Sequence, residues 1–178
     1  MVETEWFRLR RDRDASDIKG GRDFSRKRYP YFVDKEAFDA LEDGTAFYEY
    51  TGQGEQEDFL FDPTFLIGDR FQTIFHYLEP DMEFKAVHLI DERRKEDAPA
   101  PLYWVPFLPY EEVVHETSEV VLGKAEKLVL RRDALGERRI LHARLPADDI
   151  WLFSLEAAEC ILRRAPMGAW MTRIEEYR

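Results

Sequence analysis

The sequence contains little cysteine and no long apolar run. Cys160 is the only cysteine among 178 residues, so the chain can form neither an intramolecular disulfide nor a thiolate metal cluster. No stretch approaches the roughly 20 consecutive apolar residues that span a bilayer, and the first residues lack the apolar core of a signal peptide. We therefore expect a cytoplasmic protein with no membrane-spanning segment.

The usual catalytic and phosphate-binding motifs are also missing. The sequence has no Gly-rich Walker loop and no Gly-x-Ser-x-Gly nucleophile elbow. His115-Glu116-Thr117-Ser118-Glu119 resembles the start of a zinc-protease helix, but Glu119 stands where the second histidine would be. We interpret this segment as a polar turn or short helix, and His76, His88 and His142 as structural residues. We therefore predict no catalytic residue, no metal ligand and no cofactor.

Basic residues are outnumbered. The chain has 26 Lys and Arg against 37 Asp and Glu, a formal net charge of −11, which opposes binding to nucleic acid and to anionic membranes. Within residues 29–80 only Lys35 and Arg70 are basic. The densest acidic run is Glu55-Gln56-Glu57-Asp58, which we interpret as a solvated loop that could also contact a partner.

Large apolar side chains are abundant: hydrophobic residues make up 44% and aromatic residues 14% of the chain. This composition excludes intrinsic disorder. The length and the lack of a clear linker predict a single domain over 1–178.

Residue spacing and turn signals indicate the main elements. The pattern predicts strands at Thr45–Thr51, Met82–Ile90, Ile150–Phe153 and Ala169–Ile174, and a hairpin of Leu128–Arg132 with Arg139–Leu145. It predicts a first helix over 69–79 with Asp69 as N-cap. It predicts a second helix capped by Ser154, with its apolar stripe at Ala158, Ile161, Leu162 and Ala165. We predict an α+β fold, with a mainly antiparallel sheet covered by two or more helices. Residues 65–87 and 151–174 share a strand, helix, strand order, which either an internal repeat or chance would produce.

An aromatic stretch precedes the turn at His115. Tyr103, Trp104, Phe107 and Tyr110 lie among three prolines and are followed by two glutamates. Tyrosine and tryptophan anchor many protein interfaces, but they also fill cores. Both interpretations remain open for residues 103–119, and a carbohydrate or peptide platform is a further alternative.

Several short motifs between residues 60 and 176 resemble a family of bacterial immunity proteins associated with polymorphic toxins, otherwise catalogued as a domain of unknown function. The motifs are Phe65-Leu66-Ile67-Gly68-Asp69-Arg70, Met82–Val87, Leu102–Val105, Val113–Glu119 and the closing strand, helix and strand of Ile150–Ile174. The resemblance implies a non-catalytic protein that binds and neutralises a cognate toxin. It implies a protein partner and no cofactor, and it divides the domain into a variable part at 1–60 and an immunity-protein-like core at 61–178. The charge and the lack of a long apolar run predict no nucleic-acid or membrane partner.

The candidate contact residues combine the acidic run with the aromatic stretch. They are Glu55, Glu57, Asp58, Tyr103, Trp104, Tyr110, Glu111, Glu112, His115 and Glu116. Two alternatives remain: a carboxylate-based hydrolase with acids near His115 or His142, and a scaffold protein that associates with itself. The sequence leaves the oligomeric state open.

Overall fold

The computed structural model describes residues 5–15, 18–20, 23–50, 57–92 and 100–178. In chain order its elements are β1 (Trp6–Arg11), β2 (Ile18–Gly20), α1 (Lys35–Ala40), β3 (Gly44–Tyr50), β4 (Phe59–Leu60), β5 (Leu66–Gly68), α2 (Asp69–Leu78), β6 (Glu83–Asp91), β7 (Leu102–Phe107), β8 (Glu119–Val121), β9 (Lys124–Lys127), β10 (Val129–Leu130), a 3₁₀ turn (Arg132–Ala134), β11 (Ile140–Leu145), β12 (Asp148–Ser154), α3 (Leu155–Leu162), β13 (Ala169–Arg173) and β14 (Glu176–Tyr177).

The fold is α+β with antiparallel sheets, as predicted: strands account for 41% and helices for 18%. Two pairs are parallel, β3 with β6 and β10 with β14. The chain forms two compact units. The six-stranded unit comprises residues 11–107 and 166–169, and the four-stranded unit comprises residues 1–10, 108–165 and 170–178. That the whole chain is one domain stays a prediction.

The sheet of the six-stranded unit has the order β2-β3-β6-β7-β5-β4. β6 is an interior strand, as its apolar content predicts, and its residues alternate between faces. Val87 and Leu89 are fully buried, whereas His88 between them is exposed. The buried face packs on α1, where Phe38 stacks on Phe107 with ring centroids 5.0 Å apart.

Helix α2 confirms the predicted apolar stripe but not the predicted cap. Four of its residues are buried: Phe71, Ile74, Phe75 and Leu78. Its N-cap is Gly68, which provides no side-chain hydrogen bond, and Asp69 is the first helical residue. The Asp69 carboxylate instead accepts a hydrogen bond from Trp104 Nε1 at 2.9 Å. A tertiary partner on β7 has therefore replaced the local capping bond.

The sheet of the four-stranded unit has the order β11-β12-β1-β13. β12 is antiparallel to both β11 and β1. β13 is also antiparallel to β1, because Ile174 N–H donates to the Trp6 carbonyl while Asp12 N–H donates to the Gly168 carbonyl. One face carries an apolar core that includes Val113, Leu130, Leu141, Ile150 and Leu152.

Helix α3 follows β12 directly. Ser154 is its N-cap, as predicted, and its hydroxyl accepts a hydrogen bond from Ala157 N–H at 3.3 Å. Ala157, Ala158 and Ile161 are buried. Leu162 and Ala165 were expected on the same stripe, but both are exposed: Leu162 is the last residue of the helix, and Ala165 lies beyond it.

The predicted hairpin of 128–132 with 139–145 is wrong. β10 pairs in parallel with β14 near the end of the chain, and β11 pairs with β12 across the two-residue turn of Pro146 and Ala147. Gly136 does have the predicted positive φ, at 56°, but it lies in a loop. A long-range partner for β10 and a tighter turn for β11 displaced the pairing that the local pattern favoured.

In the described part of the chain, no helix combines the length and apolar character needed to cross a bilayer.

Candidate functional site

A cleft of about 320 Å³ opens in the four-stranded unit. Half of its lining residues are candidate contact residues from the sequence. The lining consists of Tyr110, Glu111, Glu112, Val114, His115, Glu116, Ser118, Val120, Arg144 and Leu145. The structure therefore brings together five of the ten predicted residues.

Backbone hydrogen bonds fix the segment that forms the cleft between β11 and β10. Glu111 N–H donates to the His142 carbonyl at 2.7 Å, and His115 N–H donates to the Val129 carbonyl at 2.9 Å. The Ser118 hydroxyl accepts from Val129 N–H at 3.0 Å and donates to its carbonyl at 3.2 Å. The cleft wall is therefore tied to strands at both ends, so its side chains project from a defined backbone.

The segment at His115 is a polar turn, as predicted. His115 Nδ1 accepts from Thr117 N–H at 3.2 Å and lies 2.9 Å from the Thr117 hydroxyl. Both contacts are local, which is typical of a turn closed by its own side chains. Among the described residues, no group of three or more His, Cys, Asp or Glu side chains converges to hold a metal ion.

A cluster of polar and aromatic side chains supports Tyr110. His142 is 2% exposed, and its ring stacks on Trp151 with centroids 3.9 Å apart and an interplanar angle of 17°. The Tyr110 ring lies 4.3 Å from the His142 ring. Asp149 connects the cluster, because its carboxylate accepts from Trp151 Nε1 at 3.0 Å and lies 3.4 Å from the Tyr110 hydroxyl.

Both ring nitrogens of His142 face oxygen acceptors. Nδ1 lies 3.0 Å from the Leu108 carbonyl and Nε2 lies 2.8 Å from Asp149 Oδ1. Both distances are within hydrogen-bond range, so each ring nitrogen has a partner inside the fold. A buried ring with partners on both sides agrees with the interpretation of His142 as a structural residue.

The charge of the cleft is negative. Glu112 and Glu116 are exposed, and Glu111 lies 3.8 Å from Arg138 Nε, which is a weak contact. Arg144 is the basic residue of the lining, and its guanidinium carbon lies 5.2 Å from the centre of the Tyr110 ring. Three glutamates and one arginine therefore give the lining a net negative charge.

Three candidate contact residues are buried in the six-stranded unit, which corrects the prediction that they form a surface. Glu57, Asp58 and Tyr103 are 9%, 7% and 2% exposed. The Tyr103 hydroxyl donates to the Glu57 carbonyl. Buried side chains with internal partners cannot contact another protein, so these three residues are structural.

The Asp58 carboxylate is a structural junction. It accepts hydrogen bonds from Arg70 Nε and Nη2, each at 2.5 Å, and from Met167 N–H at 2.7 Å. The hydrogen bond from Arg70 to Asp58 raises the pKa of the arginine above its ordinary value. The adjacent Gly168 has φ +87°, and a Cβ there would lie 2.8 Å from the Phe59 carbonyl oxygen. The local sequence predicts a solvated loop at Asp58, because Arg70 and Met167, which bond to its carboxylate, are distant along the chain.

One further candidate, Trp104, is not among the lining residues of the cleft. Trp104 is half-buried on β7 of the six-stranded unit, bonded to Asp69. Glu55 lies outside the described residues.

The sequence interpretation missed several residues that build the cleft and its support. They are Val120, Arg144, Leu145, Asp149 and Trp151. A two-residue turn at Pro146-Ala147 was the available signal, because strand pairing across it puts His142 opposite Trp151 and Arg144 opposite Asp149.

No protein-family model matches the chain, and no curated protein matches it significantly. The similarity to the immunity-protein family stays a prediction, so the function is argued from the geometry and charge of the cleft.

Proposed function

We propose that this chain is a non-catalytic, immunity-type protein that neutralises a cognate toxin in the cytoplasm by binding it through the cleft of the four-stranded unit. The observation that carries the proposal is the meeting of Tyr110, Glu111, Glu112, His115 and Glu116 in one negatively charged concavity. Two of the five, His115 and Glu116, also belong to the Val113–Glu119 motif that resembles the immunity-protein family.

Electrostatics favours a basic partner. A formal net charge of −11 attracts positively charged proteins at long range. Toxins that act on nucleic acid carry basic surfaces that receive phosphate, and glutamates of the cleft would replace phosphate there. Complementary charge of this kind raises the association rate and selects against acidic partners.

The cleft suits binding better than catalysis. A pair of carboxylates that act as acid and base needs two different environments, yet Glu112 and Glu116 are both exposed. The imidazole of His142 and the carboxylate of Asp149 are buried and bonded to each other. What remains accessible is a set of charges and an aromatic ring, which are contact groups.

The decisive experiment is co-expression with the product of a neighbouring toxin-like gene, inactivated for affinity measurements. We expect co-purification, protection of cells that make the active toxin, and at least a tenfold loss of affinity in the double variant E112K/E116K, mainly through slower association. The matched control is E42K/D81K, which reverses two exposed charges in the six-stranded unit and should bind within about twofold of the native chain.

Two results would contradict the proposal. Absence of both a complex and protection would exclude toxin binding. Turnover of a substrate by the purified chain, lost on replacing Glu112 or Glu116, would instead support the hydrolase alternative.

We also propose that residues 65–87 and 151–174 are an internal repeat in which a helix lies on a sheet. In the first segment β5, α2 and β6 follow in order, with β7 between the two strands in the sheet. In the second, β12, α3 and β13 follow in order, with β1 between them. α2 contacts β5 and β7, and α3 contacts β12. Superposition of the two segments in an experimental structure tests this, and opposite helix placement on the two sheets would refute it.

A further inference from the structure

Three consecutive apolar residues are exposed where β8 turns into β9. Val120, Val121 and Leu122 have 44%, 54% and 93% of their surface accessible. A strand residue and its neighbour normally point to opposite faces, so one of them should be covered. A run of exposed apolar residues is a liability in a soluble fold unless it has a function.

The backbone at the tip makes the leucine still less expected. Leu122 and Gly123 have φ values of 49° and 79°, as in the type I′ turn that joins two strands through two residues. That turn favours Asn, Asp or Gly at its first central position, and a bulky side chain with positive φ is strained. Folding alone would therefore select asparagine or glycine at position 122.

The tip is held rigidly against the turn between β11 and β12. The Gly123 carbonyl accepts from Ala147 N–H at 3.0 Å, and a Cβ on Gly123 would lie 3.0 Å from the Ala147 nitrogen. Ala125 N–H donates to Asp148 Oδ2 at 3.0 Å. An apolar side chain on a fixed turn loses little conformational entropy when it is buried by a partner.

The apolar tip is continuous with the acidic cleft. Val120 lines the cleft beside Glu116 and Leu145. Within the hairpin, Glu119 and Glu126 are balanced by Lys124 and Lys127, so the negative charge next to the tip is that of the cleft. The surface therefore offers an apolar protrusion next to negative charges. Its complement is an apolar pocket whose rim carries Lys and Arg.

We propose that Leu122 is the anchor residue of the interface, which inserts into an apolar pocket on the basic toxin that the cleft engages. This inference rests on the proposed function and adds the contact that holds the complex together. The glutamates of the cleft raise the association rate with the toxin, because exposed charges act mainly on association. Leu122 sets the lifetime of the complex, because a buried apolar anchor acts mainly on the dissociation rate.

The test compares L122N, L122M and the native chain in binding kinetics with the inactivated toxin. Asparagine suits the turn, so L122N should unfold at the same denaturant concentration as the native chain or a higher one. We expect L122N to dissociate at least tenfold faster with an unchanged association rate, and L122M to bind within about threefold of native. The control is L162Q, which removes an exposed leucine at the end of α3 and should bind like the native chain.

The outcomes separate this inference from the proposed function. Native binding by L122N overturns the role of Leu122 and leaves toxin binding intact. No toxin binding by the native chain overturns both. A native dimer in sedimentation velocity that L122N converts to monomer would show that a second copy of this chain occupies the tip, which also overturns the inference.

Discussion

Two groups of carboxylates that look alike in the sequence have opposite fates in the structure. Asp58 is buried in the six-stranded unit and bonded to Arg70 and Met167. Glu112 and Glu116 stand exposed at the cleft of the four-stranded unit. The difference shows that an acidic residue becomes structural when the fold places hydrogen-bond donors against its carboxylate. Where the fold places no donors there, the carboxylate stays accessible to a partner.

We expect the largest loss of stability when Asp58 is replaced. Replacing it with alanine leaves the Met167 N–H without its acceptor and breaks the two hydrogen bonds from Arg70. We expect a loss of about 2–4 kcal/mol in the free energy of unfolding, measured by urea denaturation. E112A should change it by less than about 0.5 kcal/mol. Equal effects of the two variants would show that the contrast in burial has no energetic meaning.

The Asp149 side chain, which is 9% exposed, lies against His142. H142F keeps a ring for stacking on Trp151 but removes the ring-nitrogen contacts to Asp149 and to the Leu108 carbonyl. We expect about 2–3 kcal/mol lower stability, because two hydrogen bonds of a buried ring are lost. H88F, on the exposed face of β6, is the matched control and should stay within about 0.5 kcal/mol. A stability of H142F equal to that of H88F would mean that the buried hydrogen bonds contribute nothing.

Tyr29 in the six-stranded unit has a buried hydroxyl, in contrast to the hydrogen-bonded carboxylate of Asp58. Tyr29 is 1% exposed, and its hydroxyl has no hydrogen-bond partner among the described residues. Burial raises the pKa of Tyr29 above its usual value of 10.0, so the folded state favours the neutral phenol. Ionisation of Tyr29 therefore leaves the stability unchanged below about pH 10, and the folded state loses stability as pH rises from there through the raised pKa.

The variant Y29F should therefore be at least as stable as the native chain at neutral pH, since it discards an unpaired polar group. Urea denaturation from about pH 9 to pH 12 should show a steeper decline for the native chain than for Y29F. Parallel declines would mean that Tyr29 does not titrate on unfolding.

The smallest effect is expected at an exposed pair. The hydrogen bond from Lys127 lowers the pKa of Glu176, so any stabilisation is present above the ordinary pKa of a glutamate and is lost as pH falls through the lowered value. Solvent screens this pair. E176Q should leave the urea denaturation midpoint at pH 7 unchanged, in low salt and in 1 M salt alike. A clear drop in the midpoint would show that exposed carboxylates also stabilise the fold.

Local signals in the sequence were sufficient for individual elements. The apolar spacing of α2, the Ser154 cap and the strand β6 each depend on neighbouring residues, and each was predicted within one or two positions. The pairing of β10 depends on β14, which lies far along the chain. No local pattern encodes such a partner, so the predicted hairpin was wrong.

The same distinction applies to the site. Tyr110, Glu111, Glu112, His115 and Glu116 are close in sequence, so a single stretch revealed them. Arg144, Asp149 and Trp151 reach the site only through strand pairing. The bonds from Arg70 and Met167 to Asp58 likewise join residues distant in sequence, and that is why its burial was not predicted.

The place of β1 in its sheet has a consequence for synthesis on the ribosome. β1 lies between β12 and β13. Arg8 on β1 can bond to Asp148 only after a further 140 residues have been synthesised. At roughly 5–20 residues per second, that interval lasts on the order of ten seconds or more. Throughout it the nascent chain carries an unpaired strand, open to capture by a chaperone, while strands β2 to β7 emerge before β12 and can pair among themselves.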